Sequence, residues 1–160
     1  MNETIIRGIG LKKPNINFHP APPWFPGRGG ASLAIYDRYS TYGATAHKMV
    51  RNVDAGEIYY VEDFEIDDCD TCETVYNRAS VGCYLLLRQF LDHIRINNKF
   101  PEPTKYRWEG MNTTKKEFKD FLTITDKDDF LRKVKACKHS KFPGPYIFRD
   151  GFKFELSKEE

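Results

Sequence analysis

The pattern of apolar and polar residues divides most of the chain into short strands and helices. Residues 15–19 (NINFH) alternate and predict a strand, which the prolines that follow would end. Residues 29–36 predict a short helix. The β-branched and aromatic runs at 42–50 and 56–66 predict two strands that pair across the sequence RNVDAG. Strands and helices mixed in this way indicate an α/β fold.

The clearest helix in the pattern covers residues 73–96. Apolar residues recur there at spacings of three and four, and either Thr71 or Thr74 could cap the first turn. The apolar positions are Val75, Ala79, Cys83, Leu86, Phe90 and Ile94. A stripe of this kind is typical of ordinary core packing, and we assign it no chemical role.

The composition changes at residue 97. The run NNKFPEPTKYRWEGMN contains two prolines and predicts a linker. A helix is expected to begin near Thr114, and a second in DKDDFLRKVKAC, which has acids in its first turn and bases in its last. Two alternating runs around Asp150-Gly151 predict a terminal β-hairpin. We therefore expect two parts, residues 1–98 and residues 99–160.

Charge and hydropathy exclude several classes of partner. The 160 residues include 25 Lys and Arg against 23 Asp and Glu, and the net charge of +2 makes nucleic acid an unlikely partner. No apolar run approaches the ~20 residues that a membrane span needs. The start, MNETIIRGIGLKKP, lacks the apolar core of a secretory signal. These features predict a soluble, cytoplasmic protein that does not enter a membrane.

The four cysteines, at positions 69, 72, 83 and 137, raise the question of a metal or redox site. Cys69 and Cys72 form a C-x-x-C, but a zinc site needs a second ligand pair at similar spacing. The flanking sequence IDDCDTCET is acidic and opposes thiolate formation. We favour ordinary reduced cysteines and expect no metal.

Three polar residues form a candidate set for acyl transfer. Asn17 and His19 share one face of the first strand, while Phe18 points the other way into a core. Their strand ends where α/β sheets place ligands, and Asp54 lies in a tight turn. An amide and an imidazole can stabilise an oxyanion, and a carboxylate can orient the imidazole or remove a proton. Taken singly, N-x-H is more often a satisfied polar pair and D-x-G an ordinary turn.

The order of these motifs resembles one protein family. The elements are N-x-H on a strand, the loop PAPPWFPGRGG, the strand YGATAHKM and the turn DAGEI. Together they are similar to the folate-dependent formyltransferases, which include methionyl-tRNA, glycinamide ribonucleotide and nucleotide-sugar N-formyltransferases. The tail FPGPYIFRDGFKFEL favours the nucleotide-sugar branch. The resemblance covers residues 14–156.

The resemblance implies a fold and a domain organisation. The chain would be the C-terminal half of a Rossmann-like formyltransferase domain with a small helix and a β-hairpin tail. Residues 1–98 would be a partial catalytic core and residues 99–160 a C-terminal extension. The half that precedes N-x-H in the family is expected to be absent. A homodimer, or a partner chain that supplies that half, is therefore expected.

The resemblance also implies a reaction, the transfer of formyl from 10-formyltetrahydrofolate to the amine of a nucleotide-linked amino sugar. Asn17 and His19 would polarise the formyl carbonyl. Asp54 would hold the imidazole in its working state and help to remove a proton from the amine. The backbone of Val53 to Ala55 would lie along the pterin ring.

Other residues have weaker implied roles, and other functions stay open. Trp24 and Phe25 would be walls of the acceptor site or, equally, anchors of their loop. His47 would be structural or would support the catalytic residues. The alternatives are a methionyl-tRNA formyltransferase-like protein, a truncated non-catalytic remnant or interaction subunit, and a regulatory folate-binding protein.

Overall fold

The computed structural model of the protein describes residues 15–156, which form a mixed α/β fold. The central sheet has three antiparallel strands, with β2 between β1 and β3. The strands are β1 (Ile16–His19), β2 (Thr41–Lys48), β3 (Ile58–Glu65), β4 (Tyr146–Arg149) and β5 (Phe152–Glu155). The helices are α1 (Gly30–Tyr36), α2 (Cys72–Asn97), α3 (Lys115–Phe121) and α4 (Phe130–Cys137). The β4–β5 hairpin is the one predicted around Asp150-Gly151.

The register of β1 against β2 determines which side chains of the two strands can contact one another. Asn17 lies opposite His47, and His19 lies opposite Thr45. The ring of Phe18 packs edge-on against Phe90 of α2, with 6.2 Å between centroids. Because strand side chains alternate, Asn17 and His19 face away from α2. The predicted division of this strand into a core face and a polar face is therefore confirmed.

Helix α2 covers one face of the sheet, as its pattern predicts. Thr71 caps it, and its hydroxyl accepts from the Thr74 amide while the Thr74 hydroxyl accepts from the Thr71 amide. The predicted positions Val75, Ala79, Leu86 and Phe90 are buried, whereas Cys83 and Ile94 are only half-buried. Gly82 lets the helix approach the sheet closely, since a Cβ there would lie 3.1 Å from that of Ala44.

The run after residue 97 is not a linker, and this prediction was wrong. Its backbone is held by the core, because the Thr104 amide donates to the carbonyl of Ile58 at 2.7 Å. Further along, the Thr113 amide donates to Pro26 and the Arg28 amide donates to Thr113. A proline-rich run without regular structure can still be rigid when its hydrogen bonds go to other segments.

The helix predicted in DKDDFLRKVKAC is shorter than expected. It begins at Phe130, with Asp129 as its cap, so Asp126 and Asp128 precede it. The expectation of acids in the first turn was therefore wrong. The Asp128 carboxylate instead accepts from the amide and hydroxyl of Thr125, which stabilises a turn before the helix.

Asp128 also forms a largely buried ion pair with Lys133 of α4 and a hydrogen bond with Tyr36 of α1, so it connects the two helices. The ammonium of Lys133 lies 3.1 Å from its Oδ1, and the Tyr36 hydroxyl donates to the same oxygen at 2.7 Å. The Lys133 ammonium also lies 3.8 Å from the ring centroid of Phe121. Burial alone would raise the pKa of Asp128, but hydrogen bonds from Thr125, Tyr36 and Lys133 hold that pKa well below its ordinary value of 3.8.

Replacing Asp128 with asparagine is expected to lower the free energy of unfolding by about 3 kcal/mol at pH 7, because it leaves the Lys133 charge buried and unpaired. A depressed folded-state pKa stabilises above the unfolded value and loses that effect as pH falls through the folded value. The difference between variant and wild type should therefore shrink steadily below about pH 4. Urea unfolding of both proteins at several pH values measures this difference in the free energy of unfolding.

The matched control is Asp92→Asn, which breaks an exposed pair with Arg95 on α2. This substitution should lower the free energy of unfolding by less than about 1 kcal/mol at every pH. An equally large difference between Asp128→Asn and wild type at pH 7 and pH 3 would contradict the assignment of that stability to the carboxylate.

Candidate active site

The candidate site forms where the end of β1 meets the turn between β2 and β3. Asp54 occupies that turn with φ 44°, a left-handed conformation that aspartate tolerates better than most residues. Asn17 and His19 come from β1, and His47 comes from β2. The structure thus brings together the three residues that the sequence singled out, and it adds His47 to them.

The Asp54 carboxylate is buried and lies close to a backbone amide and to two histidine rings. Its Oδ2 receives the Gly27 amide at 2.9 Å and lies 3.6 Å from His19 Nε2, while its Oδ1 lies 3.3 Å from His47 Nε2. Burial would raise the pKa of Asp54, but its contacts with the His47 ring, the His19 ring and the Gly27 amide hold the pKa below 3.8. The group is therefore a carboxylate at neutral pH, better suited to orienting a ring than to storing a proton.

The contacts of His19 determine where its proton lies. Nε2 is 3.2 Å from the Phe25 carbonyl and 3.6 Å from the Asp54 carboxylate, and both of these groups can only accept. The proton of the neutral ring is therefore on Nε2, and Nδ1 has the lone pair. Burial lowers the pKa of His19 below 6.5 despite the opposing effect of Asp54. The ring is thus neutral at pH 7 and able to accept a proton.

His47 connects Asn17 to Asp54. Its Nδ1 donates to the Lys48 carbonyl at 3.0 Å, so in the neutral ring Nε2 can accept from the Asn17 amide, also at 3.0 Å. Its Nε2 also lies 3.3 Å from Oδ1 of the Asp54 carboxylate. His47 therefore lies between Asn17 and Asp54 and contacts both.

The loop before α1 is joined to the segment before α3. Gly27 has φ 93°, and a Cβ on it would lie 2.4 Å from the Thr113 carbonyl oxygen. Only glycine fits there, and its backbone amide is the one that binds Asp54. The loop rich in proline and glycine is thus part of the site through its main chain.

Trp108 is a site residue that the sequence interpretation missed. Its indole nitrogen donates to the Gly56 carbonyl at 2.8 Å. Its ring lies edge-on to His47, 4.8 Å between centroids, and 5.9 Å from His19. The available signal was a single tryptophan within a proline-rich run, which is more often a packed anchor than a surface residue.

The other predicted residues lie around the site in different settings. Phe25 is buried against Tyr39 and Tyr42, and it is its carbonyl that touches His19. Trp24 is half-buried and packs on the same core. Val53 and Ala55 are exposed on either side of the buried Asp54. The roles of these residues stay predictions.

A cavity of about 540 Å³ opens beside His19. Residues 27–32, which include the first residues of α1, line it together with helix α3 and the segment before β4. Its volume falls within the usual range for sites that bind small molecules. His19 therefore borders a space large enough for a substrate.

The four cysteines, Cys69, Cys72, Cys83 and Cys137, form no disulfide with one another. Burial raises the pKa of Cys72 to about 11 and that of Cys137 to about 12, so both are thiols at neutral pH. No group of three potential ligands gathers around a common point anywhere in residues 15–156. Over the same range, no helix is both long and apolar enough to cross a bilayer.

Comparison with known proteins identifies relatives of the chain. Residues 7–83 match the model of the formyl transferase family. The methionyl-tRNA formyltransferase of Lactobacillus gasseri is 26% identical over 137 residues, which are 82% of this chain and 42% of that protein.

Solved structures show the same fold. A 4-N formyltransferase from Francisella tularensis aligns with a TM-score of 0.74 at 24% identity, over 90% of this chain and 61% of that chain. An N-formyltransferase from Helicobacter canadensis, in complex with folinic acid and dTDP-3-aminofucose, aligns with a TM-score of 0.63 at 20% identity, over 85% and 51%. The chain thus spans about half of these proteins and has the fold of part of their domain, as expected.

Proposed function

We propose that this chain is a member of the formyltransferase family and transfers a formyl group from 10-formyltetrahydrofolate to the amine of a nucleotide-linked amino sugar. The observation that supports this most is the convergence of Asn17, His19 and Asp54 on one side of the sheet, with a cavity beside His19. An amide, a neutral imidazole and a carboxylate suit direct attack of an amine on an activated formyl group.

The acceptor amine must lose a proton while it attacks the formyl carbon. His19 is neutral with a lone pair on Nδ1, so it can take that proton and become an imidazolium. Asp54, 3.6 Å away and ionised, stabilises the imidazolium and keeps the ring in position. The Asn17 amide can donate to the oxyanion that develops on the formyl oxygen. The tetrahedral species then collapses as the bond between the formyl carbon and N10 of the donor breaks, and the His19 imidazolium returns its proton to N10 so that tetrahydrofolate leaves.

The donor would supply the formyl carbonyl, and the turn around Asp54 is the proposed place for its pterin ring. Val53 and Ala55 are exposed there, and the Val53 carbonyl accepts from the side-chain amide of Asn112 at 2.7 Å. Main-chain groups held in place by such contacts suit a flat heterocycle. The complex of the Helicobacter canadensis protein with folinic acid supports a folate at a related site.

A second copy or a partner chain would complete the domain in this proposal. The outer face of α2 leaves apolar side chains exposed, with Val81 at 59%, Tyr84 at 60% and Leu91 at 55%. Exposed apolar patches of this kind mark association surfaces. A homodimer, or a chain with the first half of the domain, would cover them. The buried thiols suit the cytoplasmic location that we include in the proposal.

Methionyl-tRNA is the second candidate acceptor, because the relative from Lactobacillus gasseri is named a methionyl-tRNA formyltransferase. The near balance of charge, +2 over the chain, argues against it, since tRNA binding needs many phosphate contacts. Parallel assays with amino-sugar nucleotides and methionyl-tRNA separate the two. If methionyl-tRNA were formylated and no amino-sugar nucleotide were, the acceptor would be methionyl-tRNA rather than an amino sugar.

The test of the mechanism is His19→Asn, which we expect to lower the rate of formyl transfer by roughly a hundredfold or more. In the wild type, the rate should rise with pH through a pKa below 6.5 and then stay level, because the neutral ring is the active form. The pH dependence of kcat/KM measures this. The control His93→Asn changes a histidine on α2, far from β1 in sequence, and should keep the wild-type profile.

A rate for His19→Asn close to wild type would remove His19 from the mechanism. So would a wild-type rate that keeps rising above pH 7.5, since the proton acceptor would then be a group of higher pKa. No formyl transfer to any amine, from a folded chain with its partner surface covered, would overturn the proposed function itself.

A further inference from the structure

We propose that residues 104–113, called here the crossing segment, hold the catalytic side chains in position and that Trp108 is the main positioning residue among them. This inference rests on the proposed function, because it assigns a supporting residue to the same reaction. Trp108 acts through the rings of His19 and His47, against which its indole packs. Asn112 supports the turn around Asp54 from the same segment.

The crossing segment is hydrogen-bonded to the turn between β2 and β3. The indole nitrogen of Trp108 donates to the Gly56 carbonyl at 2.8 Å, and the side-chain amide of Asn112 donates to the Val53 carbonyl at 2.7 Å. These two carbonyls lie on either side of Asp54, whose backbone is left-handed at φ 44°. The turn that directs the carboxylate is therefore held by side chains of another segment.

The same segment is hydrogen-bonded to the loop between β1 and α1. The Glu109 amide donates to the Pro23 carbonyl at 3.0 Å, and the Thr113 amide donates to the Pro26 carbonyl at 3.0 Å. The main chain of this loop also contacts His19. The crossing segment therefore joins the loop beside His19 to the turn between β2 and β3, and so it sets the distance between the two parts of the site.

The indole of Trp108 covers part of the two histidine rings. Its centroid lies 4.8 Å from that of His47 and 5.9 Å from that of His19, and both contacts are edge-on. Most residues of the crossing segment are exposed, whereas Trp108 is half-buried. It does not line the cavity beside His19. The indole therefore keeps water from a part of the histidine surface that does not face the cavity.

The neutral state of His19 depends on keeping water away from its ring. Burial lowers the pKa of His19, whereas the Asp54 carboxylate and the Phe25 carbonyl raise it. Among the described residues, the titratable groups that face the ring are Asp54 from the turn and His47 from β2. Removing the indole exposes the ring to water and keeps both of these groups in the chain. The pKa of His19 should then rise toward its ordinary value of 6.5.

NMR titration of the histidine rings in Trp108→Ala tests this inference without relying on catalysis. His19→Asn identifies the signal of His19. We expect the pKa of His19 to be higher in Trp108→Ala than in wild type, because water reaches the ring. The rising limb of kcat/KM should move to higher pH with it, and the plateau should fall about tenfold as the catalytic side chains lose their positions.

Trp108→Phe and Asn112→Ala separate the two contributions of the segment. Phenylalanine keeps a ring on the histidines but cannot donate to Gly56, so the pKa of His19 should stay close to that of wild type while the rate falls about threefold. Asn112→Ala should lower the rate by a similar factor at an unchanged pKa of His19, since it frees only the Val53 carbonyl.

Tyr106→Ala is the matched control, because it removes from the same segment an aromatic side chain that is 51% exposed. It should leave both the pKa of His19 and kcat/KM at their wild-type values. A thermal melt of each variant shows which of them are folded at the assay temperature. If Trp108→Ala is not folded, Trp108→Phe and Asn112→Ala decide the matter, and wild-type rates in both would overturn the inference.

The outcomes separate this inference from the proposed function. An unchanged pKa of His19 in folded Trp108→Ala would overturn it, even in a chain that transfers formyl. A higher KM for the donor, at an unchanged plateau rate and an unchanged pKa, would make Trp108 a substrate contact and would overturn it too. A raised pKa in a chain that formylates no amine would support the contact between Trp108 and His19 and would overturn the reaction.

Discussion

Replacing Asp54 with asparagine is expected to lower formyl transfer by roughly a thousandfold while the chain stays folded. The amide has nearly the same shape and can still accept from Gly27, but it has no charge. It therefore no longer stabilises the imidazolium of His19, whose Nε2 lies 3.6 Å from the carboxylate. Steady-state kinetics with 10-formyltetrahydrofolate and an amino-sugar nucleotide, beside a thermal melt, measure the two effects separately.

Asp150→Asn is the matched control for this experiment. Asp150 has φ 50°, close to the 44° of Asp54, but it occupies the exposed turn of the β4–β5 hairpin. Both substitutions therefore change the same group in the same backbone conformation, and only one removes a charge beside His19. A wild-type rate in Asp54→Asn would show that the carboxylate has no part in the chemistry. Equal rate losses in both variants would assign the effect to the turn conformation.

Gly27→Ala is the second change with a large expected effect, because it strains the loop on which the site depends. Alanine is disfavoured at φ 93°, and its Cβ would lie 2.4 Å from the Thr113 carbonyl oxygen. We expect a loss of about 2–4 kcal/mol in the free energy of unfolding. The loop must also shift, so the amide that binds Asp54 moves and the rate should fall by roughly a hundredfold.

Gly151→Ala separates backbone strain from the steric clash. Gly151 has φ 82°, but a Cβ there meets nothing within 4 Å. The free energy of unfolding of this variant should fall by only about 1 kcal/mol, because only the left-handed conformation disfavours alanine there. Chemical denaturation of both variants gives the difference. If Gly27→Ala were no less stable than Gly151→Ala, the close approach of Thr113 to the loop would not be a constraint on the fold.

Local patterns were sufficient for most of the elements. The helix caps at Thr71 and Thr114, the alternation at 15–19 and the turn at Asp150 depend on residues a few positions apart, and each lies where the sequence places it. The prediction that acids such as Asp128 occupy the first turn of α4 was the exception, and it failed for a physical reason. The Asp128 carboxylate is used by Lys133 and Tyr36 rather than by the helix terminus, and nothing in the local sequence distinguishes these uses.

By itself, the sequence determined the strands, the helices and the two polar residues that share a face of β1, since these follow from side-chain periods of two and about 3.6. It also singled out Asp54. Only the tertiary structure decided that Trp108 packs on His47 and that the start of α3 is joined to the loop at Gly27. Those contacts connect residues about 60 to 90 positions apart, where no periodic pattern extends, so they depend on how the whole core packs.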